Sequence, residues 1–537
     1  MLLAISAIVL IVSVIFIYSP ASVYFGSDEI DFPLSLLDYI APLLAVSLII
    51  TCVVALFSLF LPARGRKWLA YILSLAAIMA CAEVFVLMPD FGTFTGAQVN
   101  LAISPARYAF EVCAFVIAAV VLRNWVKAPK VGSLFFLLIA GVIAIPALWS
   151  AAMETKLTPQ VADENALFDM GEANLIVVLL DGFPSDVFEE IIEANGDWMR
   201  HLSGFTYYPD MVGVSRTTFL ALPSIHSGRV YSPGTAVQPF FREAIEQHSF
   251  MSELASAGYS SLLVNPINGA CPRRTMCLGG GMILNDHTLM RKTGIARLLG
   301  LSFFKAAPLL LKEFAYDEGR WLFPRYVADA RLSDHNVEGR ALLKLFADNL
   351  NPNGGQPTAR FLHIFSPHLP VVFGEECGYS TEPLAVTREA FVTQAECALS
   401  AFGALITALK QQQLYDKTAI ILLSDHGQDL PNRKADGDGG WVKLSGSANS
   451  LLVVKPIGAQ GEMQFSSERR WLPEVPSIVC AITRACQPSL ATAGEKRLYN
   501  YYEWTNDYWQ TEYLPVTQYR LSGAPWKAES WEVVTGQ

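Results

Sequence analysis

The chain has 537 residues, 52% of them hydrophobic and only 16% charged, with a formal net charge of −10 at pH 7. That length exceeds one small domain, and that balance excludes an ordinary soluble protein. The acidic total also argues against a nucleic-acid partner, which calls for a basic surface to displace counterions from phosphates.

The apolar excess is concentrated at the start of the chain. Apolar segments near Leu2–Tyr18, Leu36–Leu61, Trp68–Met88, Tyr108–Leu122 and Ser133–Met153 approach the roughly 20 residues a membrane helix needs. Five crossings are therefore expected within residues 1–153. Glu83 and Glu111 fall inside two of these segments and are expected to face a helix partner or an interface. Arg64, Arg66 and Lys67, then Arg123, Lys127 and Lys130, follow the second and fourth segments, whereas Asp28, Glu29, Asp31 and Asp38 follow the first. Basic loops stay cytoplasmic, so the N-terminus is inside and everything after about Met153 lies outside. The first segment lacks a basic n-region and an Ala-x-Ala-like cleavage site, and reads as a retained helix.

Residues 154–173 are polar and mixed, and are expected to be a linker with room for a short helix. From Asn174 onward, apolar strands alternate with helical stretches such as Ser185–Ala194, Pro239–Ser256 and Glu389–Gln412. That alternation predicts one α/β domain over 174–537, a mixed sheet sandwiched by helices. Its six cysteines fall into three sequence-near pairs, Cys271/Cys277, Cys377/Cys397 and Cys480/Cys486. Local disulfides are the simplest arrangement in an oxidising compartment, with buried free thiols as the alternative. Arg291–Phe314 mixes basic and large apolar residues, as either an interface-lying helix or an amphipathic helix packed on the core would. The Tyr- and Trp-rich stretch Tyr499–Trp531 reads as a short β meander, with sugar binding as the alternative.

Chemistry gathers where two apolar runs end. Asn174–Leu180 leads into Asp181-Gly182, and Ala419–Leu423 leads into Ser424-Asp425-His426-Gly427. Buried parallel strands end in this way at the ligand-binding edge of an open α/β sheet. Two carboxylates lining one crevice would repel, and a bound cation removes that cost. With the His426 nitrogen and the Thr218 oxygen, the donor set suits zinc or manganese rather than calcium or magnesium. Thr218, in Ser215-Arg216-Thr217-Thr218, is the candidate nucleophile, because metal coordination activates an otherwise poor hydroxyl. Thr217 is its rival, and an ordinary helix N-cap is the bland alternative for Thr218. Phe361-Leu-His-Ile-Phe-Ser-Pro-His368 is a further strand running into a loop. Its His363 is a candidate substrate contact or a satisfied core residue, and Arg216 is a candidate phosphate contact or a solvated side chain.

The strand ending in Asp181, the Thr-x4-Pro segment from Thr218 to Pro223 and Ser-Asp-His-Gly at Ser424–Gly427 together resemble the alkaline phosphatase and sulfatase superfamily. The membrane-anchored branch, the phosphoethanolamine transferases and lipoteichoic acid synthases, is the closer likeness. The resemblance implies five membrane helices before an exported catalytic domain, in a bacterial inner membrane. It implies one divalent metal held by Asp181, Thr218, Asp425 and His426, and a catalytic role for His368 beside the transferred group. Gln428–Gln537 contains no histidine, so a second zinc site lacks its usual ligand and the single-metal arrangement is the nearer analogue.

The function expected from this resemblance is transfer of a phospholipid-derived phosphoethanolamine or phosphoglycerol headgroup to an envelope glycan or glycolipid through a phosphothreonine. The alternatives are a membrane-anchored sulfate or phosphate ester hydrolase and a non-catalytic scaffold of a glycan-assembly complex. A standard sulfatase is disfavoured because the formylglycine pattern Cys/Ser-x-Pro-x-Arg is missing, and Cys271-Pro-Arg-Arg lacks its spacing.

Overall fold

The computed structural model describes all residues except 28–31, 33, 90, 92–100, 102, 126, 154–164, 285–286, 318–320, 325–334, 353, 381–382, 436–439, 487–496, 504–511 and 536–537. Asp28, Glu29 and Asp31 and most of the 154–173 linker lie outside the described residues. The chain forms two compact units, Met1–Val161 with Asn285–Asp329, and Ala162–Leu284 with Ala330–Gln537.

In the first unit, helices Leu2–Gly26, Leu36–Phe60, Ala63–Leu87, Pro105–Arg123 and Pro129–Met153 are long and apolar enough to cross a membrane. All but Leu36–Phe60 outrun the apolar stretches at one end or both. Arg64, Arg66 and Lys67 sit in the first turn of the third helix rather than in a loop, and only Leu61 and Pro62 separate it from the second. Pro62 forces this break, because the residue before a proline is driven out of the helical region. Arg388–Gln411 matches the same length and composition, but it belongs to the second unit. There Phe391, Leu399, Phe402, Ile406 and Leu409 are buried in the core.

The expected single run over 174–537 is interrupted. Asn285–Asp329 belongs to the first unit, because its helices His287–Ala306 and Leu309–Tyr316 pack on the apolar N-terminal helices. Leu298 is buried with Tyr39 and Ile40. The amphipathic stretch at Arg291–Phe314 is thus two helices that share a core with the membrane helices and not with the sheet. Periodicity tells that a face is apolar, not what covers it.

The second unit is built on strands β1 (Asn174–Leu180), β2 (Thr206–Tyr207), β3 (Met211–Val212), β4 (Ser260–Val264), β5 (Met276–Leu278), β6 (Thr358–Ile364), β7 (Thr418–Leu423), β8 (Leu452–Lys455) and β9 (Gln464–Phe465). All but β3 form one sheet in the order β5-β4-β6-β1-β7-β8-β2-β9. Strands β5, β4, β6, β1 and β7 run parallel, and β8 is antiparallel to β7. Along β1, Ile176, Val178 and Leu180 enter one core while Leu175, Val177 and Leu179 enter another on the opposite face. Burial on both faces explains why the run is uninterrupted rather than alternating. Leu179 stands opposite Leu423, so Asp181 and Asp425 leave neighbouring strands at the same level.

Cys271–Cys277, Cys377–Cys397 and Cys480–Cys486 are disulfides, the local pairing expected. The C-terminal aromatics form the expected antiparallel meander, Arg497–Tyr501, Thr517–Leu521 and Trp531–Thr535. Tyr499 and Trp531 pack there ring against ring with Val212 and Ala448, which gives them a structural role.

Candidate metal centre

Four segments deliver side chains to the carboxyl edge of the sheet. Asp181 follows β1, with its backbone N–H donating to the Ile364 carbonyl at 2.9 Å. Gly182 then turns the chain at φ 68°, and its N–H donates to Asp425 Oδ1 at 3.1 Å. The strand ends are clasped further by Ser424, whose hydroxyl donates to the Phe183 carbonyl at 2.7 Å and accepts from Leu451 N at 2.8 Å. Asp425 is therefore fixed through one oxygen while the other stays free to act.

His426 Nδ1 lies 2.6 Å from the Gly427 carbonyl, which places the ring proton there and turns the Nε2 lone pair inward. That nitrogen is 3.3 Å from Asp425 Oδ2, 3.7 Å from Asp181 Oδ1 and 3.4 Å from Thr218 Oγ1. Thr218 opens the helix Thr218–Ser227, so its hydroxyl stands at the positive end of the helix dipole. Thr217 occupies the N-cap position without a capping hydrogen bond. Its hydroxyl lies 3.2 Å from that of Ser215, and Thr218 is the threonine that meets His426.

His368 lies past β6, on a loop held by Asn336 and Gln394, which donate to its carbonyl at 2.9 and 3.1 Å. Its Nε2 is 4.0 Å from Asp181 Oδ1, and its side chain is 41% exposed, the most open of the histidines at this site. Asp181, His368 and His426 each present a ligand atom within 4.8 Å of one another.

Among the described residues, Asp181 Oδ1 and Asp425 Oδ2 are buried without a hydrogen-bond partner. Buried carboxylate oxygens rarely stay unmatched, and two of them facing one imidazole nitrogen form a donor set for a divalent cation. The residues present therefore fit the metal centre. Without a cation, burial opposes ionisation of Asp181, yet His368, His363 and His426 prevail and hold its carboxyl well below the usual range. Burial likewise disfavours the charged His426, and Asp425 and Asp181 outweigh it, raising the imidazole pKa.

The two candidate substrate contacts each meet other groups of the protein. His363 is 1% exposed, with Nδ1 3.3 Å from the Asn265 carbonyl and Nε2 3.3 Å from Asp181 Oδ2. Its place on β6 beside β1 points it at the Asp181 carboxylate. Arg216 is engaged by Asp429, by the Tyr501 hydroxyl at 3.3 Å and by Glu503 at 3.7 Å. With two carboxylates against it, its charge is already matched. A residue not singled out from sequence is Gln428, buried with its Nε2 unpartnered. Its amide lies where a side chain at Gly182 would begin, beside the His368 ring, and the left-handed φ of 68° there favours glycine as well. Its only sequence signal was its place directly after Ser-Asp-His-Gly.

Residues 173–450 match the protein-family model described as Sulfatase. No curated protein matches the sequence. Among solved structures, the chain is 13% identical to the phosphonate monoester hydrolase SpPMH from Silicibacter pomeroyi, over 67% of this chain and 91% of that one, with a TM-score of 0.41. A putative sulfatase from Bacteroides thetaiotaomicron gives 11%, 66%, 82% and 0.41. The C-terminal periplasmic domain of EcEptC from Escherichia coli gives 12%, 64%, 91% and 0.37.

Proposed function

Since the family model takes in more than half of the chain, the protein belongs to the sulfatase family, and we propose that it is a membrane-bound phosphotransferase acting through Thr218. The observation that carries this reading is the threonine hydroxyl 3.4 Å from His426 Nε2, at a helix N-terminus. A threonine cannot become formylglycine, which separates this site from sulfate-ester chemistry, and it serves directly as a phosphoryl acceptor.

In this reading Thr218 Oγ1 attacks the phosphorus of a phospholipid headgroup, and the bond from phosphorus to the diacylglycerol oxygen breaks. A divalent cation at Asp181, Thr218, Asp425 and His426, zinc or manganese by donor type, would lower the Thr218 pKa and offset charge on the phosphoryl oxygens. His368, the exposed histidine beside Asp181, gives the departing oxygen its proton and later takes one from the acceptor hydroxyl. His363 and Gly182 keep the Asp181 and Asp425 carboxylates in place throughout. The acceptor, an envelope glycan or glycolipid, attacks the phosphothreonine and leaves with phosphoethanolamine or phosphoglycerol. Five membrane helices on the same chain raise the local concentration of a lipid donor. The reading places the protein in a bacterial inner membrane with its α/β unit outside the cytoplasm.

Incubating the detergent-solubilised full chain with defined phospholipids tests it: diacylglycerol should be released and a Thr218 peptide should carry the headgroup phosphate. Equal release by wild type and Thr218→Ala sinks the mechanism. Release with water as the sole acceptor, across added glycans, turns the reading to a phosphodiesterase on the same site.

A further inference from the structure

The helix Leu309–Tyr316 is built inside out for a water-exposed element. Leu310, Leu311 and Phe314 are 77%, 45% and 56% exposed, while Lys312 between them is fully buried. At about 100° per residue, Leu310, Phe314 and Leu311 share one flank. Lys312 points to the opposite side, and the exposed Glu313 marks the rim of the apolar flank. Lys312 Nζ donates to the Phe304 carbonyl at 2.8 Å and lies 3.5 Å from Glu83 Oε2, a carboxylate that is also fully buried. Leu309 N donates to Glu111 Oε1 at 2.9 Å.

These partners fix a depth. Glu83 lies four residues before the end of the span Ala63–Leu87, and Glu111 six residues after the start of Pro105–Arg123. At 1.5 Å per residue these are about 6 and 9 Å inside the helix ends. The preceding helix, His287–Ala306, touches the two earlier spans at the same side of the bundle. Lys305 Nζ donates to Ser22 Oγ at 3.2 Å, near the end of Leu2–Gly26. Gly294 lies hard against the Tyr39 ring, near the start of Leu36–Phe60. Ends that alternate between terminus and start of successive spans lie on one face of an up-and-down bundle. Arg64, Arg66, Lys67 and Arg123 occupy the other ends of these spans, and basic residues mark the cytoplasmic side.

We propose that Leu309–Tyr316 is an in-plane membrane helix, seated in the extracytoplasmic leaflet with Leu310, Leu311 and Phe314 among phospholipid acyl chains and Lys312 turned inward onto Glu83. A depth of about 5–10 Å below the headgroups is where amphipathic interfacial helices settle. A charge facing the bundle and paired with its opposite is the arrangement hydrocarbon demands. The occupant of the apolar flank is lipid, and this assignment stands whatever reaction the metal centre performs.

The test uses the full chain in phospholipid nanodiscs, with Cys52, Cys81 and Cys113 replaced by serine and a nitroxide placed by Leu310→Cys or Phe314→Cys. Lys344→Cys, on an exposed side chain of the α/β unit, reports an aqueous site and, by matching its value in the otherwise unaltered protein, native folding. Power-saturation spectroscopy should show oxygen relaxing the label more than a water-soluble nickel chelate at 310 and 314, and the reverse at 344. Nickel preference at both 310 and 314 overturns the proposal. So does exclusion of both reagents that is relieved when the discs hold a single copy, since the flank would then be covered by a second copy of the chain.

Discussion

Asp425→Asn separates what the buried carboxylate does for the fold from what it does for a metal. His426 Nε2 lies 3.7 Å from Asp181 Oδ1 and 3.3 Å from Asp425 Oδ2, so these oxygens are at most about 7 Å apart. They repel by about 2 kcal/mol or more at an effective dielectric near 20. Asparagine retains the oxygen that accepts from Gly182 N at 3.1 Å and places an amide opposite the inward-facing His426 nitrogen. In chelator and above the raised His426 pKa, where the imidazole is neutral and no longer attracts Asp425, the variant should therefore be more stable than wild type by about 2 kcal/mol, or about 3 °C in the unfolding midpoint of the α/β unit. With zinc or manganese at a hundredfold excess over its dissociation constant, wild type gains about 2.7 kcal/mol, and the variant should gain almost none. The two midpoints should cross between chelator and metal, read by intrinsic fluorescence during heating of the solubilised full chain. Asp425→Asn melting below wild type in chelator, or gaining as much from metal, would refute the assignment of Asp425 as a ligand held against repulsion.

Thr218→Ala should lower headgroup transfer by at least about a thousandfold, as loss of a covalent nucleophile does, while Thr217→Ala, whose hydroxyl faces Ser215, should stay within about tenfold of wild type. His368→Gln should reduce turnover by about a hundredfold or more and leave metal content by elemental analysis close to wild type; loss of the metal would instead make His368 a ligand. The raised His426 pKa contributes stability present below its unfolded value and lost as pH rises through the folded one. In chelator the midpoint should therefore fall as pH rises above neutrality, and His426→Asn should flatten that slope. Metal affinity should run the other way, rising with pH because the ligand is the neutral imidazole. Lys312→Met leaves the Glu83 charge buried and unpaired, which should cost about 3–5 kcal/mol; the double variant with Glu83→Gln should recover most of it in a double-mutant cycle of detergent unfolding midpoints.

Sequence showed most clearly what depends on short-range pattern. The runs ending at Leu180 and Leu423 are apolar without interruption because both faces are covered, and the acids after them were legible as a pair for that reason. Thr218 was singled out by its motif, and of the two threonines it is the one whose hydroxyl lies 3.4 Å from His426 Nε2. His363 was not legible, because whether a strand histidine meets substrate or a carboxylate depends on which strand lies beside it, and the pairing Leu179 with His363 is a tertiary fact. The ion pairs of Arg216 were hidden for a similar reason: Asp429 and Glu503 lie far along the chain and reach it only through folding. The amphipathic stretch after Asn285 carried an apolar face in its sequence, but only long-range packing decided that Leu298 would be buried with Tyr39 and Ile40 while Leu310 and Phe314 stay exposed.

The interruption at Asn285–Asp329 dictates an order of assembly. During synthesis, β1, β4 and β5 emerge first, then the helix pair that packs on the apolar N-terminal helices, and only afterwards β6 and β7. Asn174 pairs with Thr358 on one side and Thr418 on the other, so the central strand waits without neighbours until β6 and then β7 have been made. A nascent polypeptide halted near residue 350 would be anchored twice yet have no metal-binding edge. A truncation meant to liberate the sheet from detergent must accordingly excise two stretches, the N-terminal helices and the loop-out between Leu284 and Ala330, and splice the strands across the gap.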